Sequence, residues 1–149
     1  PGMTATAHRG LSGDRASVAK TGIGEEVATA KPDLVIWGFG MNDLGNGESP
    51  STYLANMDLC IDAAQANAAH ARHIVQTLIL PTVGAAYYAN IAAYNTAQAA
   101  LPALVSAQGG TLSNVGTPSL SDGVHPNDGA AGYNAIASAI YNTVLAVIP

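Results

Sequence analysis

One cysteine, one tryptophan, one phenylalanine and only five Lys plus Arg are spread through 149 residues, and each scarcity removes a class of answers. A lone Cys60 can form no internal disulfide, and no Cys/His spacing of the zinc-site kind occurs. A small buried apolar side chain is the simpler role for it. The five cations, Arg9, Arg15, Lys20, Lys31 and Arg72, are scattered rather than clustered, and the formal net charge is -5. A phosphate backbone would find little to hold, so nucleic acid is not an expected partner. No apolar run reaches the roughly 18 residues that would suggest a transmembrane segment. The first residues carry no signal-peptide pattern, and the compartment stays open.

Charged residues make up 10% of the chain while hydrophobic residues make up 48%. Disordered chains pair low hydrophobicity with high net charge, which is the opposite balance. The length and apolar content suit a single domain over 1–149 with one buried core.

Strand and helix signals alternate. Thr4 to His8 could be a short strand leading into the turn-rich Arg9-Gly10-Leu11-Ser12-Gly13-Asp14, and a helix is expected from about Arg15 to Ala30. Leu34-Val35-Ile36-Trp37-Gly38-Phe39 is apolar throughout, as a parallel strand buried on both faces would be. Ser49-Pro50 is an N-cap followed by proline at the first helical position. Tyr53, Leu54, Met57, Ile61 and Ala64 then recur at helical spacing, predicting an amphipathic helix to about Ala71. Ile74 to Leu80 reads as a second buried strand. Ile91, Tyr94, Ala97, Leu101 and Val105 mark another helix face, with Pro102 expected to kink or break it and Gly109-Gly110 to stop it. Thr111 to Val115 is a further strand candidate. Tyr133, Ile136, Ile140, Val144 and Val147 predict a terminal helix with one face on the sheet. This alternation predicts one α/β sandwich built on a parallel sheet.

In open parallel sheets ligands bind beyond the carboxyl ends of the strands, which makes the segments after each strand the informative ones. Asp122 and His125 stand three apart across a turn that Gly123 permits and Pro126 stiffens. A carboxylate on Nδ1–H fixes an imidazole's tautomer and leaves Nε2 free to take a proton from a hydroxyl and later return it. Asn42 offers a side-chain N–H, and Gly13 offers a backbone N–H unobstructed by any side chain. These are donors of the type that stabilise an oxyanion.

Three blocks, Leu-Ser-Gly-Asp (11–14), Lys-Pro-Asp-Leu-Val-Ile with Gly-Met-Asn-Asp (31–36, 40–43) and Asp-Gly-Val-His-Pro-Asn (122–127), resemble blocks II, III and V of the SGNH/GDSL hydrolase family in order and separation. The resemblance spans nearly the whole chain. It implies a flavodoxin-like three-layer α/β/α sandwich, Gly13 and Asn42 as oxyanion donors, His125 as base with Asp122 as its orienting partner, and no metal or organic cofactor. It also implies a serine in Gly-Asp-Ser at the end of the family's first, central strand. No Gly-Asp-Ser occurs in these 149 residues. The expected source of that strand and its nucleophile is an upstream segment or a complementary N-terminal fragment on a separate chain. This chain alone would then be inactive.

Plainer readings stand beside these. Asp122 and His125 could form only a polar turn before the last helix, with Asn127 or Asp128 as its N-cap, and Asn42 could be a turn residue. Ser12 is the tempting nucleophile, but Gly10-Leu11-Ser12-Gly13 is one residue short of the G-x-S-x-G elbow, and the resemblance puts it in the oxyanion loop. Asp43 reads as structural, bonding nearby amides. His8 and His73 at strand ends and His70 at a helix end read as ordinary, and Trp37 and Phe39 as sheet core. Tyr87 and Tyr88, after the second strand, could line an acyl or sugar pocket or start a helix packed on the core. The functional expectation is hydrolysis of a small-molecule, carbohydrate or lipid ester through a serine acyl-enzyme. The alternative is a non-catalytic carbohydrate- or ligand-binding module on the same scaffold. A nucleotide-binding protein is a distant third, because no glycine-rich phosphate loop follows a strand.

Overall fold

The computed structural model describes residues 13–148. The expected strand at Thr4 to His8 and the serine at position 12 lie outside them. The described chain runs α1 (Ala16–Ala19), α2 (Ile23–Ala30), β1 (Leu34–Trp37), α3 (Met41–Gly45), α4 (Pro50–Asn67), β2 (Arg72–Gln76), a 3-10 turn (Tyr88–Asn90), α5 (Ile91–Ala107), β3 (Thr111–Ser113) and α6 (Tyr133–Val147). The described strands form one parallel sheet in the order β1-β2-β3, with Ile36 opposite Ile74 and Ile74 opposite Thr111. This is the α/β sandwich that the alternation predicts. β1 is an edge of the described sheet, and Ile36 on it is 45% exposed; the family's first, central strand would add at that edge.

The main core lies between one face of the sheet and α1, α2, α4 and α5. Trp37, Tyr53, Met57, Cys60, Ile61, Val75, Tyr94 and Leu101 are buried together there. Cys60 thus takes the apolar role expected of it, with its Sγ–H on the Ala16 carbonyl. On the other face α6 rests on β3 and β2, held by Val144 and by a bond from the Thr143 hydroxyl to that of Ser113 (2.9 Å). Tyr133, included in the sheet-facing set, is instead exposed.

Several boundaries differ from expectation, each for a local reason. The helix expected over 15–30 is broken at Lys20–Gly22, where the Thr21 hydroxyl bonds back to the Val18 carbonyl and competes with helical pairing. The strand expected over 34–39 ends at Trp37. The next expected strand, 74–80, is displaced toward the N-terminus as β2, so α4 must end at Asn67 rather than near Ala71. Pro102 does not break α5; it sits on the exposed side of the helix, away from the core. His73 is not an ordinary strand-end residue. Its ring is buried and stacked on Trp37 with centroids 5.9 Å apart, and Trp37 Nε1–H donates to its Nδ1 at 3.1 Å. Burial pushes the His73 imidazole below its ordinary range, which suits a ring that must stay neutral to accept that bond.

Candidate active site

Asp122 and His125 meet in one small loop. An antiparallel bridge between Leu120 and Pro126 closes it, with Ser121 N–H on the His125 carbonyl at 2.8 Å. Within it the Asp122 Oδ2 lies 2.8 Å from the His125 Nδ1. The other oxygen, Oδ1, accepts the backbone N–H of His125 (2.8 Å) and of Val124 (2.9 Å). The main-chain bond from His125 comes first, then the bond to its ring and the one from Val124, in holding the Asp122 carboxyl well below the usual carboxylate range. An ionised Asp122 accepts Nδ1–H, so the neutral imidazole carries its lone pair on Nε2. The plainer alternative put Asn127 or Asp128 at the cap of the last helix, yet α6 begins beyond Gly132. Asn127 instead ties the loop shut, its Nδ2 donating to the Ser119 hydroxyl at 2.8 Å.

Asn42 lies in the first turn of α3, a short helix that follows β1. Its Nδ2 donates to the Asp14 carbonyl at 3.1 Å, tying it to the residue after Gly13. Gly13 has φ +74, and among the described residues no atom beyond its chain neighbours lies within 4 Å of where its Cβ would be. Asp43 is fully buried and acts as expected, with Oδ1 accepting Ser17 N–H at 3.4 Å and Oδ2 accepting Gly40 N–H at 3.2 Å. It thereby fastens the start of α1 to the N-terminus of α3. Dehydration on burial raises the Asp43 carboxyl above its usual range, opposed by its backbone bonds to Ser17 and Ala16.

Tyr87 is half-buried against the core, and its hydroxyl donates to the Asn42 Oδ1 at 3.4 Å. Tyr88 opens the 3-10 turn before α5, so the pair also fits the reading of a helix start packed on the core. The segment that carries them was not anticipated as a connector. At one end Thr82 N–H donates to the Gly123 carbonyl at 2.9 Å, and a Cβ on Gly123 would meet Thr82 Oγ1 at 2.5 Å and the Ala85 Cβ at 2.7 Å. At the other end Asn90 Nδ2 bonds the Leu44 and Gly45 carbonyls at 3.0 Å each. Residues 82–90 therefore touch both the Asp122–His125 turn and the α3 arm. Among the described residues no cluster of three or more His, Cys, Asp or Glu could hold a metal ion, and no helix is long and apolar enough to cross a membrane.

A family model for GDSL-like lipases/acylhydrolases matches residues 2–135. The chain belongs to that family. No curated protein matches its sequence. Among solved structures, a carbohydrate esterase family 3 protein from Talaromyces cellulolyticus superposes with a TM-score of 0.78 at 23% identity, over 91% of this chain and 69% of that one. An acetyl esterase mutant with acetate ion gives a TM-score of 0.79 at 25% identity, over 95% and 71%. The native M. smegmatis aryl esterase gives 0.80 at 16% identity, over 95% and 78%. These likenesses agree with the SGNH fold, and hydrolysis of ester bonds is the general chemistry of the family.

Proposed function

We propose that this chain carries the base and the oxyanion donors of a serine ester hydrolase whose nucleophile comes from an upstream segment or a separate chain. The observation that carries this reading is the Asp122–His125 pair, with both carboxylate oxygens committed and Nε2 left for proton transfer. Nε2 takes the proton of the serine hydroxyl as its oxygen bonds to the ester carbonyl carbon. The tetrahedral oxyanion is stabilised by the Gly13 main-chain N–H and by an N–H of Asn42. His125 then gives its proton to the departing alcohol as the C–O bond breaks. Water, deprotonated by the same nitrogen, releases the acid from the serine. No step calls for a metal or an organic cofactor.

Acetyl esters of carbohydrates are the substrate class we favour. The fold likeness to a carbohydrate esterase and to an acetyl esterase mutant crystallised with acetate ion supports it. Tyr88, which opens the 3-10 turn next to Tyr87, is a candidate wall of the acyl or sugar pocket.

Fluorophosphonate labelling of the full-length protein, with p-nitrophenyl acetate turnover followed in parallel, is the decisive experiment. A labelled serine, with turnover abolished by His125→Ala, is the expected result. Absence of any labelled serine in a folded protein would favour the binding module instead.

A further inference from the structure

We infer that Tyr87 is a positioning residue that orients the Asn42 amide; this rests on the reading of Asn42 as an oxyanion donor. The Asp14 carbonyl can only accept, so the Asn42 atom 3.1 Å from it must be Nδ2. That fixes which way the amide faces. Oδ1 then points at the Tyr87 hydroxyl, 3.4 Å away, and accepts a hydrogen bond from it. The two contacts grip opposite ends of one planar group. Nδ2 carries two hydrogens, so one remains for a substrate oxygen after the bond to Asp14.

The grip needs a fixed ring, and Gly45 supplies the seat. Any Cβ there would overlap Cγ, Cδ2 and Cε2 of Tyr87, so only glycine lets the ring lie this close to α3. Asn90, just beyond Tyr87, binds the Leu44 and Gly45 carbonyls and holds the same turn of helix. At the far end of the segment, Thr82 is bonded to Gly123 between Asp122 and Val124. The tyrosine that orients Asn42 is thus carried on a strap anchored to the acid–base turn. A hydroxyl so placed acts on the transition state through Asn42 rather than by touching substrate. Misplacing a catalytic group by about 1 Å can cost up to ~100-fold in rate.

The test is a double-mutant cycle on the full-length protein with p-nitrophenyl acetate. Tyr87→Phe keeps the ring and removes only the hydroxyl; kcat should fall about 10-fold with KM within about twofold. In an Asn42→Ala background the same change should do nothing further, since no amide is left to orient. Gly45→Ala, which displaces the ring, should show the same kcat-selective loss and carries the test if the phenylalanine variant does not fold. A rise in KM with kcat preserved, or an effect undiminished in the Asn42→Ala background, would overturn the proposal and make Tyr87 a substrate contact. An Asn42→Ala enzyme with full activity would refute the oxyanion reading itself. In that case exchange of the Asn42 side-chain amide hydrogens, followed by NMR, still judges the grip: Tyr87→Phe should accelerate it severalfold, and unchanged exchange would refute the contact.

Discussion

Two carboxylates, Asp122 and Asp43, are shifted in opposite directions, and the contrast separates the two halves of the candidate site. Asp122 stands on an exposed turn, and hydrogen bonds to its charged form hold its carboxyl down. Asp43 is fully enclosed, and loss of water pushes its carboxyl up against the pull of its own backbone bonds. The first residue holds a geometry at little cost to the fold, whereas the second is part of what holds the fold together. The proposed acid–base half of the site should therefore be separable from stability, and the proposed oxyanion half embedded in it.

The sharpest way to break that contrast is His125→Ala. Turnover of p-nitrophenyl acetate by the full-length protein should fall at least about 10⁴-fold, with unfolding free energy within about 0.5 kcal/mol of the parent. A large loss of stability would erase the distinction. Asn42→Ala should lower kcat by ~10² to 10³, the usual cost of one oxyanion donor. Unlike the histidine variant, it should also lower the urea midpoint, because Asp14 and Tyr87 both lose a partner.

Asp43→Ala should cost ~1 to 3 kcal/mol in urea unfolding, since the main-chain N–H groups of Ser17 and Gly40 are left unpaired. The smallest effects are in proton binding, and there the two acids should differ in sign. A raised carboxyl in the folded state binds its proton more readily than in the unfolded chain. The Asp43 contribution is therefore complete below the unfolded value of about 3.9 and is lost as pH rises through its folded value. For Asp122 the contribution is present above the unfolded value and is lost only as pH falls through the depressed folded one. Carboxyl ¹³C shifts followed by NMR should show Asp122 still ionised at about pH 3, where ordinary aspartates have largely titrated. Titration of Asp122 in the ordinary range would contradict the bonding around it.

How much of this could be read beforehand depended on whether a contact is local. Asp122 and His125 are three residues apart, and the glycine and proline of their turn are visible in the sequence. β1 was legible because its run is apolar throughout, although on the described sheet it is an edge strand with Ile36 exposed. Asp43 was legible as an acceptor of nearby amides. The contacts of Tyr87 with Asn42 and of Thr82 with Gly123 join residues far apart in the chain, with nothing at either end to name the partner. Gly45 and Gly123 are informative only once the tyrosine ring and the strap are seen to occupy the space a Cβ would take. The burial of His73 against Trp37 was missed because it depends on strand register, which displaces β2 relative to the apolar run that suggested it.

The Leu120–Pro126 bridge has a consequence for folding order. Imidazole and carboxylate are brought together by closing a very short stretch of chain, which carries a small loop-entropy cost and can form on the timescale of a hairpin. The Asn42 amide, by contrast, must await the docking of Asp14 and of Tyr87 from distant parts of the polypeptide. During refolding the acid–base pair should therefore be assembled early and idle, and catalytic competence should return only with the slower, long-range closure around the amide.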